Sequence, residues 1–185
     1  EALREFLDWQ AEQSGHIALG IATGRSFHSA QAILAAEGVP TPDVIISSVG
    51  TRIHWYDRNE RRFSEDKSWR RRVEDAWQED AVREVTDTLG LRQQALLEQH
   101  SGKTSFFLDQ HDPEVIDHAF RKAGLRVEIV ASHGRYLDVL SEGAGKGPAV
   151  VHVADTLSMT QSRVVVAGDS GNDLTMLRAC PFPIV

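Results

Sequence analysis

A single cysteine, Cys180, stands in these 185 residues, so no intramolecular disulfide can staple the chain and its stability must come from a packed core. Nowhere does an apolar run approach the roughly 20 residues that span a bilayer, and Glu1 to Gly15 is too polar for a signal peptide. The eight histidines show neither zinc-finger nor HExxH spacing. Basic excess is missing as well: 27 acidic residues face 20 basic ones, which argues against nucleic acid or an anionic membrane as the main partner. A phosphorylated ligand would need a local positive site. Internal repeats, low-complexity linkers and an initiator methionine are also lacking, so the chain is expected to be a piece of something longer, in a reducing cytoplasm.

What is present is the patterning of one globular domain, or of a core with a small inserted cap. Glu1 to Gln13 spaces Leu3, Phe6, Leu7 and Gln10/Ala11 as an amphipathic helix, with Ser14-Gly15 as its stop. His16 to Thr23 is a short apolar strand, Ser26 to Glu37 a helix ended by Gly38-Val39-Pro40, and Val44 to Ser48 a second buried strand. This order is the parallel crossover unit of an α/β, Rossmann-like doubly wound sheet, whose ligands bind beyond the carboxyl ends of the strands.

From Thr51 the pattern changes. Ile53 and Trp55 alternate with polar neighbours before a turn at Asp57 to Glu60, and Lys67 to Leu89 reads as one or two exposed-backed helices. Strands at Thr104 to Leu108, Val127 to Ala131 and Tyr136 to Leu140, with a helix from Pro113 to Ala123, complete an α+β segment. Residues 51–141 are therefore expected to form an inserted cap, with residues 1–50 and 142–185 as the core. The core resumes with a helix from about Pro148, a buried strand Arg163 to Ala167, a helix Asn172 to Ala179 and a strand beginning at Pro183. Core positions are the expectation for Trp55, Trp69 and Trp77.

Three segments carry chemistry. In Val165 to Leu177 a strand delivers Asp169 at its tip and Asp173 follows four residues later. Two carboxylates so placed suit Mg2+, which is usually held by one or two carboxylates with substrate phosphate and water. A capping Asp169 and an ordinary first-turn Asp173 would fit the spacing too. In Ile21 to Ser26 the Thr23 hydroxyl, the Gly24 and Arg25 amides and a helix dipole could hold a phosphate, or Ser26 could simply cap the helix. In Gly143 to Gly147, Lys146 could offer a point charge to phosphate or be a solvated turn lysine; Leu140 and Gly147 exclude a Walker A loop.

Taken together, TGRS at Thr23, GKG at Lys146 and GDSGND from Gly168 to Asp173 resemble the second, third and fourth motifs of the haloacid dehalogenase superfamily. SSVGT from Ser47, Gln99 to Phe107 with Lys103 and Ser105, and LDVLSEGAGKG from Leu137 are similar to its sucrose-phosphate phosphatase group, or to the phosphatase-like domain of sucrose-phosphate synthases. The resemblance implies magnesium-dependent hydrolysis of a sugar phosphate, with Thr23 and Lys146 on the phosphoryl group, Asp169 and Asp173 on the metal, Asn172 in support, and Arg25 and Lys103 toward the sugar. The implied partners are a small sugar phosphate and a fused or associated glycosyltransferase.

One motif of that superfamily is not found. No segment before Thr23 is a strand ending in the Asp-x-Asp pair whose leading carboxylate attacks phosphorus. The chain alone is therefore expected to be inactive, with an open slot in its sheet. A catalytically silent binding domain is the competing expectation.

Overall fold

A computed structural model describes residues 17–185 together with Glu5, Phe6, Asp8, Trp9, Glu12 and Gln13. The helix expected over Glu1 to Gln13 rests partly on Leu3, Leu7 and Ala11, which lie outside the described residues, as do Ser14, Gly15 and His16.

Strand β1 (Gly20–Ala22) pairs in parallel with β2 (Val44–Ser47) in the register Ile21 to Ile45, and the connecting α1 (Phe27–Ala36) makes the expected crossover. Ser26 caps α1 through the amide of Ser29, satisfying one donor that the first turn would otherwise leave unpaired. Strands β3 (Arg52–Asp57) and β4 (Arg62–Glu65) then extend this sheet by antiparallel pairing, giving the order β1-β2-β3-β4.

That pairing puts β3 and β4, from the segment expected as the cap, in one sheet with β1 and β2. The first hydrophobic cluster takes in Ile53 from β3, and Trp69 and Val73 from α2 (Lys67–Asp75), alongside Val44 and Ile46. A second cluster begins with Val82 in α3 (Glu79–Thr88), so the chain passes from one core to the other between Val73 and Val82. The alternation from Thr51 onward was legible, but alternation says only that one face is buried, not against which sheet.

The second cluster is covered by α3 and α4 (Pro113–Lys122) and floored by an antiparallel sheet of β5 (Lys103–Phe107), β7 (Tyr136–Ser141) and β6 (Val127–Ser132), in the order β5-β7-β6. Trp77 packs against this cluster, Trp69 is buried in the first, and Trp55 is half-buried beside the first. Arg52 links the two bodies: it pairs with Glu65 and Glu74 and donates to the carbonyl of Ser101, just before β5.

Three elements depart in detail from expectation. Helix α5 (Lys146–Thr156) starts at Lys146 rather than Pro148; proline is tolerated within the first turn because its missing N–H has no intrahelical partner there. Helix α6 (Leu174–Ala179) is preceded by a 3-10 turn over Gly171–Asp173 that takes the expected helix start. Strand β8 (Val165–Ala167) pairs in parallel with β9 (Phe182–Ile184), as its apolar sequence suggests, yet only Val166 is buried, while Val165 is 63% exposed. The reason is topological: among the described residues β8 has one strand neighbour, and so does β1.

Candidate active site

The carboxyl ends of β1 and β8 and the N-terminus of α5 open onto one cleft of about 650 Å³, roofed by β5, β7 and the turn between β6 and β7. Thr23, Gly24, Arg25, Lys103, Lys146, Asp169, Asn172 and Asp173 all line it, so every residue singled out in the sequence reaches the same space.

Lys146, the first residue of α5, is only 4% exposed, and its Nζ donates to Asp173 Oδ1 at 2.6 Å and to Asn172 Oδ1 at 2.8 Å. A buried ammonium is costly unless paired, and these two oxygens supply the pairing. Asp173 Oδ2 in turn accepts from the amide and hydroxyl of Ser170. Burial by itself would raise the Asp173 carboxyl, but the bonds from Lys146 and Ser170 outweigh it and hold the group below the ordinary carboxylate range. Gly168 permits the approach: a Cβ there would stand 2.6 Å from the Asp173 Cβ.

Helix capping in this segment falls to Ser170 and Asp173, not to Asp169. Asp169 is exposed to the cleft, and among the described residues its side chain has no hydrogen bond or ion pair. No group of three or more His, Cys, Asp or Glu side chains able to hold a metal occurs among the described residues. Magnesium does not require one, because phosphate oxygens and water complete its octahedron around one or two carboxylates. The free oxygens of Asp169 fit that donor set, whereas both oxygens of Asp173 are engaged by Lys146 and Ser170.

Thr23 is held by its own amide, which donates to the Ile46 carbonyl across the sheet. Its Oγ1 accepts from the Arg25 amide at 3.2 Å, which leaves the hydroxyl proton to be donated into the cleft. The Arg25 amide, expected to face phosphate, is thereby used internally, while the exposed Arg25 side chain lines the cleft.

On the roof, Lys103 is 2% exposed, and its Nζ lies 3.3 Å from Asp138 Oδ1 and 3.8 Å from Glu98 Oε2. Ser105 donates to the same Asp138 oxygen at 2.5 Å. Asp138, Glu98, Gln94, Ser132, His133 and Tyr136 also line the cleft and were not singled out from the sequence. Asp138 had a signal: an acid inside the apolar run Leu137 to Leu140 has to be satisfied by something buried. The others lie in loops, in the 3-10 turn Leu96–Glu98 or at strand ends, where polar residues are ordinary.

The family described as Sucrose-6F-phosphate phosphohydrolase matches residues 1–185. The chain is 34% identical to "Probable sucrose-phosphatase 3a" of Arabidopsis thaliana over 175 residues, covering 89% of the chain and 40% of that protein. It is 30% identical to the glucosylglycerol-phosphate synthase of Pseudomonas anguilliseptica, covering 87% of the chain and 21% of that protein. Among solved structures, the sucrose-phosphatase of Synechocystis sp. PCC6803 in complex with sucrose and phosphate superposes with a TM-score of 0.85 at 32% identity, covering all of this chain and 75% of that one. The chain thus spans about 40% of the length of the curated sucrose-phosphatases it matches.

Proposed function

The chain belongs to the sucrose-6F-phosphate phosphohydrolase family, and from that premise we propose that it forms the phosphate- and sugar-binding part of a magnesium-dependent phosphatase that releases phosphate from a sugar phosphate, with sucrose 6-phosphate as the substrate. The observation that carries this reading is the convergence of a buried lysine, a threonine hydroxyl and an aspartate without a side-chain partner among the described residues on one cleft beneath a second polar cluster. Lys146 neutralises the phosphoryl oxygens at the N-terminus of α5, where the helix dipole adds to its charge. Thr23 donates its hydroxyl to the same group. The sugar extends upward, with its hydroxyls toward Lys103, Asp138 and Ser105, and the roof excludes water from the phosphate.

Asp169 would hold the magnesium ion, with Asp173 as the second carboxylate near it. When bound, the ion supplies charge neutralisation on the phosphoryl oxygens.

The attacking group is the remaining requirement. Asp138 is held by Lys103 and Ser105, Glu98 lies beside Lys103, Asp173 is held by Lys146 and Ser170, and Asp169 is assigned to the metal. From the resemblance to the haloacid dehalogenase superfamily, we infer that the aspartyl nucleophile, and the aspartyl-phosphate it forms, belong to an Asp-x-Asp segment outside these 185 residues.

A second reading is favoured by the synthase relative: a domain without hydrolytic activity, joined to a glycosyltransferase and binding its sugar-phosphate product. One experiment separates the two. The full-length natural protein is assayed for phosphate release over a panel of sugar phosphates, with magnesium and with a chelator. Metal-dependent release that is greatest with sucrose 6-phosphate supports the enzyme, whereas saturable binding of sucrose 6-phosphate without release supports the silent domain.

A further inference from the structure

Ser48 and Val49 have φ of +51° and +60°, and neither is glycine. The left-handed region is strongly disfavoured for a β-branched residue, so Val49 holds its conformation only because its surroundings over-determine it. Those surroundings are the two loops of the phosphate site.

On one side the Ser48 amide donates to the Arg25 carbonyl at 2.7 Å, and the Val49 amide donates to the Thr23 carbonyl at 3.2 Å. In a trans peptide the carbonyl and the following N–H point in opposite directions, so fixing the Thr23 carbonyl against the turn aims the Gly24 N–H away from it. Val49 is 2% exposed, and its Cγ2 stands 3.8 Å from the place a Gly24 Cβ would occupy.

On the other side Gly50, at φ +94°, lies directly against the peptide that opens α5. A Cβ on Gly50 would stand 2.1 Å from the Gly145 carbonyl carbon and 2.4 Å from the Lys146 nitrogen. The turn is itself anchored: Trp69 donates to the Gly50 carbonyl at 3.1 Å, and the Thr51 hydroxyl donates to the Ser48 carbonyl at 2.7 Å.

We propose that Val49 and Gly50 are positioning residues of the phosphate site, the strained turn setting the Thr23–Arg25 loop from one side and the Gly145–Lys146 peptide from the other. The inference rests on the phosphatase reading above and deepens it. Neither residue reaches the cleft, so their effect on phosphate passes entirely through Thr23, Gly24 and Lys146. A residue that only fills the core would change stability and leave the phosphate affinity of the folded protein untouched.

The test uses the full-length natural protein, with inorganic phosphate as the probe, at a temperature where every variant compared is fully folded. Val49→Ala, which withdraws the methyl groups facing Gly24, weakens inorganic phosphate binding about tenfold, and it lowers kcat/KM equally for sucrose 6-phosphate and for a small phosphate ester. Val49→Thr, which preserves the branched shape, restores the affinity. Gly50→Ala displaces Lys146 and lowers kcat about 100-fold; should it fail to fold, the Val49 pair decides the matter. Unchanged phosphate affinity in Val49→Ala overturns the proposal and leaves the phosphatase reading standing. A wild-type protein that neither binds inorganic phosphate nor releases it from any sugar phosphate overturns both.

Discussion

Lys146 Nζ and Asp173 Oδ1 lie 2.6 Å apart, with less than a tenth of either side chain exposed. They join the start of α5 to the turn before α6 across 27 residues of sequence. Each is the other's main compensation for leaving water, and breaking such a pair from one side is costly.

Lys146→Met should therefore destabilise the protein by about 3 kcal/mol, the low end of what removing one partner of a buried pair costs. In the double variant Lys146→Met/Asp173→Leu much of that loss should return, because no charge is left buried alone. Urea unfolding of the two single variants and the double variant measures the coupling; strictly additive losses would show that the pair is not coupled. In the full-length protein, Asp173→Asn should also abolish magnesium-dependent phosphate release, and a variant retaining most of that activity would remove Asp173 from the metal site.

Lys103, in the roof, is expected to act on the sugar and not on the phosphate. Lys103→Ala in the full-length protein should raise KM for sucrose 6-phosphate at least tenfold more than KM for a small phosphate ester. Steady-state kinetics on the two substrates decides it, and equal changes in both would take Lys103 out of sugar recognition.

Asp66 ties α2 to the rest of the first core. It caps the helix through the amides of Ser68 and Trp69, and it accepts from the Trp55 indole and from His152 in α5. Burial would raise its carboxyl, but these bonds together hold it far below the usual carboxylate range. Asp66→Ala should cost about 2 kcal/mol, from the lost cap and the stranded indole. The stabilisation is complete above the ordinary carboxylate value of 3.8 and is lost as pH falls through the depressed native value. The difference between wild type and Asp66→Asn should accordingly narrow below about pH 4, as read from unfolding midpoints in acid.

His54 stacks on Phe27 at 3.7 Å between ring centres, and its buried Nδ1 has no hydrogen-bond partner among the described residues. Burial pushes its pKa down to about 4. His100, beside Thr51 and Ser101, is lowered to about 4 for the same reason. Both are neutral in the folded state and charge more readily when unfolded, so their contribution is present above the ordinary value of 6.5 and is lost as pH falls toward about 4. The thermal midpoint should drop across that window, and His54→Phe should flatten the drop. An unchanged slope in the variant would rule His54 out as a source of the pH dependence.

By itself the sequence determined the alternation of strand and helix, and it set Thr23 and Asp169 at strand ends and Lys146 in a glycine-rich approach to a helix. These are local properties: period, caps and breakers act over a few residues, so composition along a short window suffices to read them. Tertiary structure alone decided which sheet received Ile53 and Trp55, since a pattern with one buried face is equally content on either core. It alone spent both oxygens of Asp173 on Lys146 and Ser170, turned Asp138 into the partner of Lys103, and forced Val49 into the left-handed region. Each of these outcomes follows from contacts between residues far apart in the chain, and the free energy of burying a charge or straining a backbone has no value until the surrounding groups are in place.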